Sequence, residues 1–221
     1  MTSQAAGDEL ITVVQELHLR GLNRGSSGNC SVRVPQECYL ITPSGIPSMS
    51  VDSSMLIRGE IGGEEPATSG RNRASSEWRF HRDIYRSRPE VLAIVHVHSV
   101  YATSLSCLRR DIPPFHYMVA VAGGADIRCA PYATYGTPEL SANVLQALRD
   151  RTACLMANHG LITVGSSLAD ALDVCTEVEA LAQQFMLALA AGEPRCLTDQ
   201  EMIEVIGKFA SYRQQKRLVM Q

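Results

Sequence analysis

The sequence predicts an α/β fold built on a mixed or mostly antiparallel sheet, and three features of its hydrophobic pattern predict it. Short β-branched runs such as SVRV, AIV and LITV interleave with longer stretches of helical period. At least two pairs of these runs are joined by short turns, as in hairpins. No repeat, linker or low-complexity tract divides the 221 residues, so one domain is expected. A doubly wound parallel sheet fits less well, because it needs a crossover helix between successive strands.

Taken in order, Glu9 to Leu22 reads as an amphipathic helix, with Leu10, Val13, Val14 and Leu17 on one face and Gly21 and Gly25 breaking it. Asn29 to Thr42 holds SVRV and CYLIT around Pro35, a hairpin. Val51 to Ile61 predicts one or two further strands, and Gly62 to Arg73 a polar loop. Ser75-Ser76-Glu77 supplies a cap and an acidic first turn, so a helix is expected from Ser75 to about Ser87, before Pro89. Val91 to Val97 is a strand and Tyr101 to Leu108 a helix. Met118 to Ala122 is an apolar run ended by Gly123-Gly124. Pro138 opens a helix to Arg149, and two strands, Ala153 to Ala157 and Leu161 to Val164, flank Asn158-His159-Gly160. Leu168 to Ala191 is the longest helix, closed by Gly192, and a last helix runs from Thr198 to about Phe209.

Composition narrows the function. Apolar residues make up 45% and charged residues 19%, enough for a core and unlike a disordered chain. The formal charge is −3 and the only lysines are Lys208 and Lys216, which argues against a nucleic-acid partner. The first 207 residues therefore hold no lysine for Schiff-base chemistry, which would need Lys208 or Lys216 to fold back into a pocket. No apolar run reaches the roughly 18 residues of a membrane helix, and MTSQAAGDEL does not look like a secretory signal. Seven irregularly spaced cysteines without a CxxC read as reduced thiols, so the expected compartment is the cytoplasm.

Chemistry concentrates on few residues. His96 and His98 form HxH on a strand, which puts both imidazoles on one face. A solvated pair at an edge and a shared metal both explain HxH. The apolar AIV before it favours the metal, because an unpartnered buried imidazole pair is costly. His159, in a turn between two strands, supplies a third ligand, and three histidines with an open position form a catalytic pattern. Glu77 is a fourth ligand, a general base or both; on its own it reads as a charge at a helix N-terminus. Three small-residue turns sit in the first 80 residues: Gly25-Ser26-Ser27-Gly28-Asn29, Thr42-Pro43-Ser44-Gly45 and Ser75-Ser76. Together they read as a phosphate site of N–H and hydroxyl groups.

The strings GLNRGSSGNCSVR, ITPSGIP, SSEWRFH, HVHS, FHYMVAVAGG, CAPYATYGT and NHGL occur in this order between Gly21 and Leu161, within a similarity that runs from about Leu10 to Tyr212. Together they resemble the class II aldolase/adducin-head family. The resemblance implies a single three-layer domain, a central sheet flanked by helices over residues 1–221, with a tail from about 207 to 221 reaching a neighbouring subunit. It implies zinc, or another divalent ion, on His96, His98 and His159, with Glu77 as ligand and catalytic carboxylate. It implies phosphate binding by Ser26, Gly28, Asn29, Ser44, Gly45, Ser75 and Ser76, and catalytic tyrosines at Tyr117 and Tyr212. The implied activity is reversible cleavage of a ketose 1-phosphate, such as L-fuculose 1-phosphate or a 5-deoxy-pentulose 1-phosphate, to dihydroxyacetone phosphate and a small aldehyde. The implied assembly is a homotetramer whose partners otherwise are small molecules, with no nucleic acid and no membrane. The same scaffold carries sugar-phosphate 4-epimerases, methylthioribulose-1-phosphate dehydratases and non-catalytic heads. The three histidines argue against a head, and Glu77 and HYMVAVAGG argue for an aldolase.

The remaining candidates have plainer readings. His81 is a satisfied neighbour of Glu77, Trp78 packs, and His18 is structural or exposed. His116 has no assigned role, neither Cys30 nor Cys107 is a nucleophile, and Arg149 to Arg151 form a solvated helix end.

Overall fold

The computed structural model describes residues 2–68 and 70–219, with side chains for 2–68 and 70–209. Seven strands form one sheet: β1 (Asn29–Val34), β2 (Cys38–Ile41), β3 (Ile57–Glu60), β4 (Ala93–Val97), β5 (Cys129–Ala130), β6 (Ala153–Met156) and β7 (Gly160–Gly165). Their spatial order is β3-β2-β1-β4-β7-β6-β5. Every neighbouring pair is antiparallel except β5 and β6, so the sheet is mixed and mostly antiparallel, as the hairpins predict.

Among the described residues six α-helices complete the fold: α1 (Ser3–Leu19), α2 (Trp78–Ser87), α3 (Val100–Cys107), α4 (Pro138–Ala147), α5 (Leu168–Ala191) and α6 (Asp199–Val219). Strand alternation sorts the core into two layers. Val95 and Val97 of β4 and Cys30 and Val32 of β1 face α1, α3 and α5, where Leu10, Leu17, Leu105, Val178, Leu181 and Phe185 are buried. Ile94 of β4 and Ile162 of β7 face α2 and α4, with Phe80, Ile84, Leu140 and Val144. His96 shares the parity of Ile94, so its imidazole enters the α2 layer. Among the described residues, no helix is long and apolar enough to cross a membrane.

Several boundaries differ from the sequence expectation. The first helix starts at Ser3 because Thr2 caps it, its hydroxyl accepting from the Ala5 N–H at 3.3 Å. Val51 to Ile61 holds one strand, β3, preceded by 3-10 turns. The run Tyr117–Ala122 is a 3-10 segment capped by His116 and ended by Gly123 at φ 91°. β5 has only two residues and carries no periodic signal of its own. The last helix extends well past Phe209. Arg151 is no solvated helix end: its guanidinium pairs with the Asp126 carboxylate at 2.6 Å and donates to the Asp126 carbonyl. All seven cysteines are free thiols.

Leu181 of α5 is fully buried against the sheet. Leu181→Ala should cost about 2–5 kcal/mol, read as a lower urea midpoint at unchanged slope.

Candidate active site

The site is assembled at the end of β4. That strand lies between β1 and β7, with His96 directly opposite Asn29 on one side and Ile162 on the other. His98 follows the last residue of β4 and keeps the parity of His96. Two contacts fix this exit. The His98 N–H donates to Asn23 Oδ1 at 3.3 Å. The Glu179 carboxylate of α5 accepts from Ser99 Oγ at 2.6 Å and from the Tyr101 and Ala102 N–H groups at 2.8 Å each. His159 sits in the β6–β7 turn, where Asn158 takes a left-handed conformation at φ 54° that asparagine tolerates. The His159 N–H donates to Ser106 Oγ of α3 at 3.3 Å.

Glu77 arrives from the other layer. It stands immediately before α2 and not inside it, so the helix begins later than Ser75. The delay has a backbone cause. The Ser75 N–H donates to the Thr42 carbonyl, the Ser44 N–H donates to the Arg73 carbonyl, and Pro43 bridges Ala74. Residues 73–75 are thereby held extended, and the Thr42–Gly45 turn is laced to the Ser75-Ser76 turn. The Glu77 N–H donates to Ser75 Oγ at 3.3 Å.

The ring nitrogens of His96, His98 and His159 available for a metal lie within 4.8 Å of one another. His96 Nε2 is 3.0 Å from His98 Nε2 and 3.1 Å from Glu77 Oε2. His159 Nε2 is 3.1 Å from Glu77 Oε1. His96 Nδ1 donates to the Leu161 carbonyl at 2.9 Å, which directs the Nε2 lone pair toward Glu77 and His98. Lone pairs and a carboxylate crowded together repel unless a proton or cation sits among them. Glu77 Oε1 is buried and has no hydrogen bond of acceptable geometry, despite the nearby imidazole. A buried carboxylate set against two of three clustered imidazoles is a donor set that fits a divalent ion, with nitrogen and oxygen ligands suited to zinc.

Electrostatics agrees with that crowding. Burial would raise the Glu77 carboxyl, but His96 and His159 outweigh it and hold it far below the usual carboxylate range. Burial would lower the His96 imidazole, and Glu77 reverses this and raises it. Burial, with His96 and His159 beside it, pushes His98 down to about 4. Burial, then the His96 charge, pushes His81 down to about 3. His81 is the satisfied neighbour expected from the sequence, held between Asn29 and Ser31.

A cavity of about 330 Å³ opens beside these donors. Its lining takes Ser26, Gly28 and Asn29 from the first turn, Ser44 and Gly45 from the second, and Ser75 and Ser76 from the third, next to Glu77, His98 and His159. Every residue expected in the phosphate site therefore faces one space. Among the described residues that line it there is no lysine or arginine. Asn29 also has a second task, since its Nδ2 donates to Glu77 Oε2 at 2.8 Å. Gly28 is at φ 73°, and a Cβ there would meet the His96 carbonyl at 2.6 Å, so only glycine lets this turn approach β4.

Sequence reasoning missed Tyr132, Tyr135 and Asn158, which line the same cavity. The two tyrosines are 51% and 66% exposed, and their only sequence signal is the aromatic pair within CAPYATYGT. Tyr117 is 49% exposed and does not line the cavity; its ring lies 6.5 Å from that of Phe209 on α6. The Tyr212 side chain lies outside the described residues.

Fold and donor set define a class: a mixed-sheet α/β protein organised around a site able to hold a divalent ion beside a cavity for an anion. The chain belongs to the family described as Class II Aldolase and Adducin N-terminal domain, whose model matches residues 8–186. It is similar to a 5-methylthioribulose-1-phosphate/5-deoxyribulose-1-phosphate aldolase of Rhodospirillum rubrum, 45% identical over 203 residues, 92% of this chain and 90% of that one. It is similar to the L-fuculose phosphate aldolase of Escherichia coli strain K12, 45% identical over 205 residues, 92% of this chain and 94% of that one. Among solved structures, an L-fuculose 1-phosphate aldolase superposes with a TM-score of 0.89 at 40% identity, over 95% of this chain and 98% of that one.

Two predictions follow the geometry. A Cβ at Gly160 would stand 2.4 Å from the Val97 carbonyl and 3.0 Å from His98 Cδ2. Gly160→Ala should cost roughly 1–3 kcal/mol and weaken Co(II) binding, read by thermal melting and visible absorption. The second concerns acid. His81 and His98 stay neutral in the fold but bind protons in the unfolded chain below about pH 6.5. Stability of the chelator-treated protein should therefore fall as pH drops from about 6.5 to 4. The raised His96 contribution is fully present throughout that window, since it is lost only above pH 6.5. Urea midpoints should show the decline, and His81→Gln should flatten it.

Proposed function

We propose that this chain is a divalent-metal-dependent aldolase that reversibly cleaves a ketose 1-phosphate to dihydroxyacetone phosphate and a small aldehyde. The observation that carries the reading is a cluster of three imidazoles and Glu77, of which Glu77, His98 and His159 line one cavity together with three serine-rich turns. The lack of lysine in the first 207 residues supports it, because the imine route has no amine there.

His96, His98, His159 and Glu77 would hold the ion, zinc or a similar divalent metal. When bound, the ion supplies the electron sink by polarising the ketone and hydroxyl oxygens. Ser26, Gly28, Asn29, Ser44, Gly45, Ser75 and Ser76 hold the phosphate, which orients the reacting carbons. In cleavage the C3–C4 bond breaks and its electron pair passes to the dihydroxyacetone phosphate half. The C4 hydroxyl loses its proton as the aldehyde forms, and C3 gains one. Glu77 carries the C3 proton, removing it in the synthetic direction and returning it in cleavage. Tyr117 accepts the C4 hydroxyl proton in cleavage and gives it back in synthesis.

Tyr117 is exposed and away from the cavity of its own chain. Its role therefore has it entering from a neighbouring copy in a homotetramer, together with the C-terminal segment that carries Tyr212. The curated relatives divide between two kinds of substrate, L-fuculose phosphate and the 5-deoxy or 5-methylthio ribulose 1-phosphates. All of these share the half that the phosphate turns would bind.

Zinc-loaded protein should release dihydroxyacetone phosphate from at least one of L-fuculose, 5-deoxyribulose and methylthioribulose 1-phosphates, followed by coupled reduction. Chelator should abolish the release, and release from none of the three would remove the aldolase reading. Tyr117→Phe should slow cleavage far more than hydrogen exchange at C3 of dihydroxyacetone phosphate; equal slowing would take the aldehyde-side role from Tyr117.

A further inference from the structure

Behind Glu77 and Asn29 run three further polar groups, Ser31, His81 and Tyr85, that the reaction above does not use. Asn29 and Ser31 lie two apart on β1 and share a face. Glu77, His81 and Tyr85 lie four apart, which stacks His81 and Tyr85 on one stripe of α2 below Glu77. The two periodicities interlock. Glu77 Oε2 accepts from Asn29 Nδ2 at 2.8 Å, and Asn29 Oδ1 meets His81 Nε2 at 2.6 Å. His81 Nδ1 meets Ser31 Oγ at 2.7 Å, and Ser31 Oγ meets the Tyr85 hydroxyl at 2.8 Å. Asn29 is 6% exposed, Tyr85 1%, and Ser31 and His81 are fully buried.

Donor and acceptor capacity sets the direction of this chain. A carboxylate only accepts, so Asn29 gives Glu77 its N–H and turns its carbonyl oxygen to His81. His81 Nε2 must then carry the hydrogen. A charged imidazole buried here without a carboxylate partner is costly, so Nδ1 is the bare nitrogen and accepts from Ser31. Ser31 in turn accepts from Tyr85. The hydrogen bonds point one way: Tyr85 to Ser31 to His81 to Asn29 to Glu77.

We propose that Ser31, His81 and Tyr85 are positioning residues for Glu77, acting through Asn29. The chain forbids the flipped amide of Asn29, which would aim an oxygen at the carboxylate. It anchors Oε2 and leaves Oε1 facing the His159 imidazole at 3.1 Å. An apolar stripe at these positions would fill the same layer, whose neighbours are Phe80, Ile84 and Ile94. The polar groups are worth burying because they end on the working carboxylate. The inference rests on reading Glu77 as metal donor and base.

Three measurements test it. Long-range 15N–1H NMR of the metal-free wild-type protein at neutral pH should show His81 as the neutral imidazole with its hydrogen on Nε2. Co(II) titration, read by visible absorption, should show binding weakened roughly 10–100-fold in His81→Phe. His81→Gln keeps an N–H near the Nε2 position and should recover most of that loss. In turnover, His81→Phe should lower kcat with little change in KM. A hydrogen on Nδ1, a charged His81, or equal loss in the two variants with native circular dichroism would overturn the proposal. The wild-type NMR experiment decides the direction even if a variant does not fold. Wild-type protein that binds Co(II) but releases no dihydroxyacetone phosphate would end the aldolase reading, while the tautomer and the Co(II) comparison would still decide the chain.

Discussion

The burial of one carboxylate governs the arrangement of the site. Glu77 is 6% exposed, and a carboxylate removed from water needs cations or donors on every side. Its neighbours answer that need from separate parts of the chain. Asn29 comes from β1, His96 from β4 and His159 from the β6–β7 turn. Each is held in turn by the fold: His96 by the Leu161 carbonyl, His159 by Ser106, and the exit of β4 by Asn23 and Glu179. Small displacements in any of these elements change the same few distances.

The sheet order is what makes the convergence possible. β4 is separated from β1 and β7 by long stretches of sequence yet lies hydrogen-bonded between them. Antiparallel pairing on both sides fixes which residues face His96, and a slip of one residue would turn its imidazole into the opposite apolar layer. The serine-rich turns are placed by the same logic. Two of them are laced by backbone hydrogen bonds near Thr42 and Ser75, and the third approaches β4 only because Gly28 has no side chain. The lining offers hydroxyl and amide groups without lysine or arginine, so an anion there would draw on backbone N–H groups and on an ion held by the imidazoles.

Much of this was legible in the sequence where chemistry and spacing are local. The parity of His96 and His98 follows from a strand period of two, and the hairpins follow from alternation around short turns. The long helix from Leu168 to Ala191 agrees with the sequence reading at both ends because Ser167 caps it and Gly192 stops it. Elements whose limits depend on distant partners were not legible. The start of α2 is delayed by backbone bonds to residues 42–44, which no local cap signal reports. β5 is two residues long and exists through its pairing with β6. Arg151 reads as solvated until Asp126 is seen beside it.

The sequence by itself determined the mixed α/β character, the imidazole pair on one strand face, the lack of lysine in the first 207 residues and the three turns suited to an anion. Those properties depend on residue type and on spacing within a few positions. The tertiary structure alone decided that Glu77 meets His96 and His159, that Tyr132, Tyr135 and Asn158 share their cavity, and that Asn29 turns its amide nitrogen to Glu77 with His81 behind it. Those are contacts between residues up to 82 positions apart, His159 to Glu77 being the farthest of the carboxylate's own. Strand register and the orientation of buried hydrogen bonds set them, and neither leaves a periodic trace along the chain.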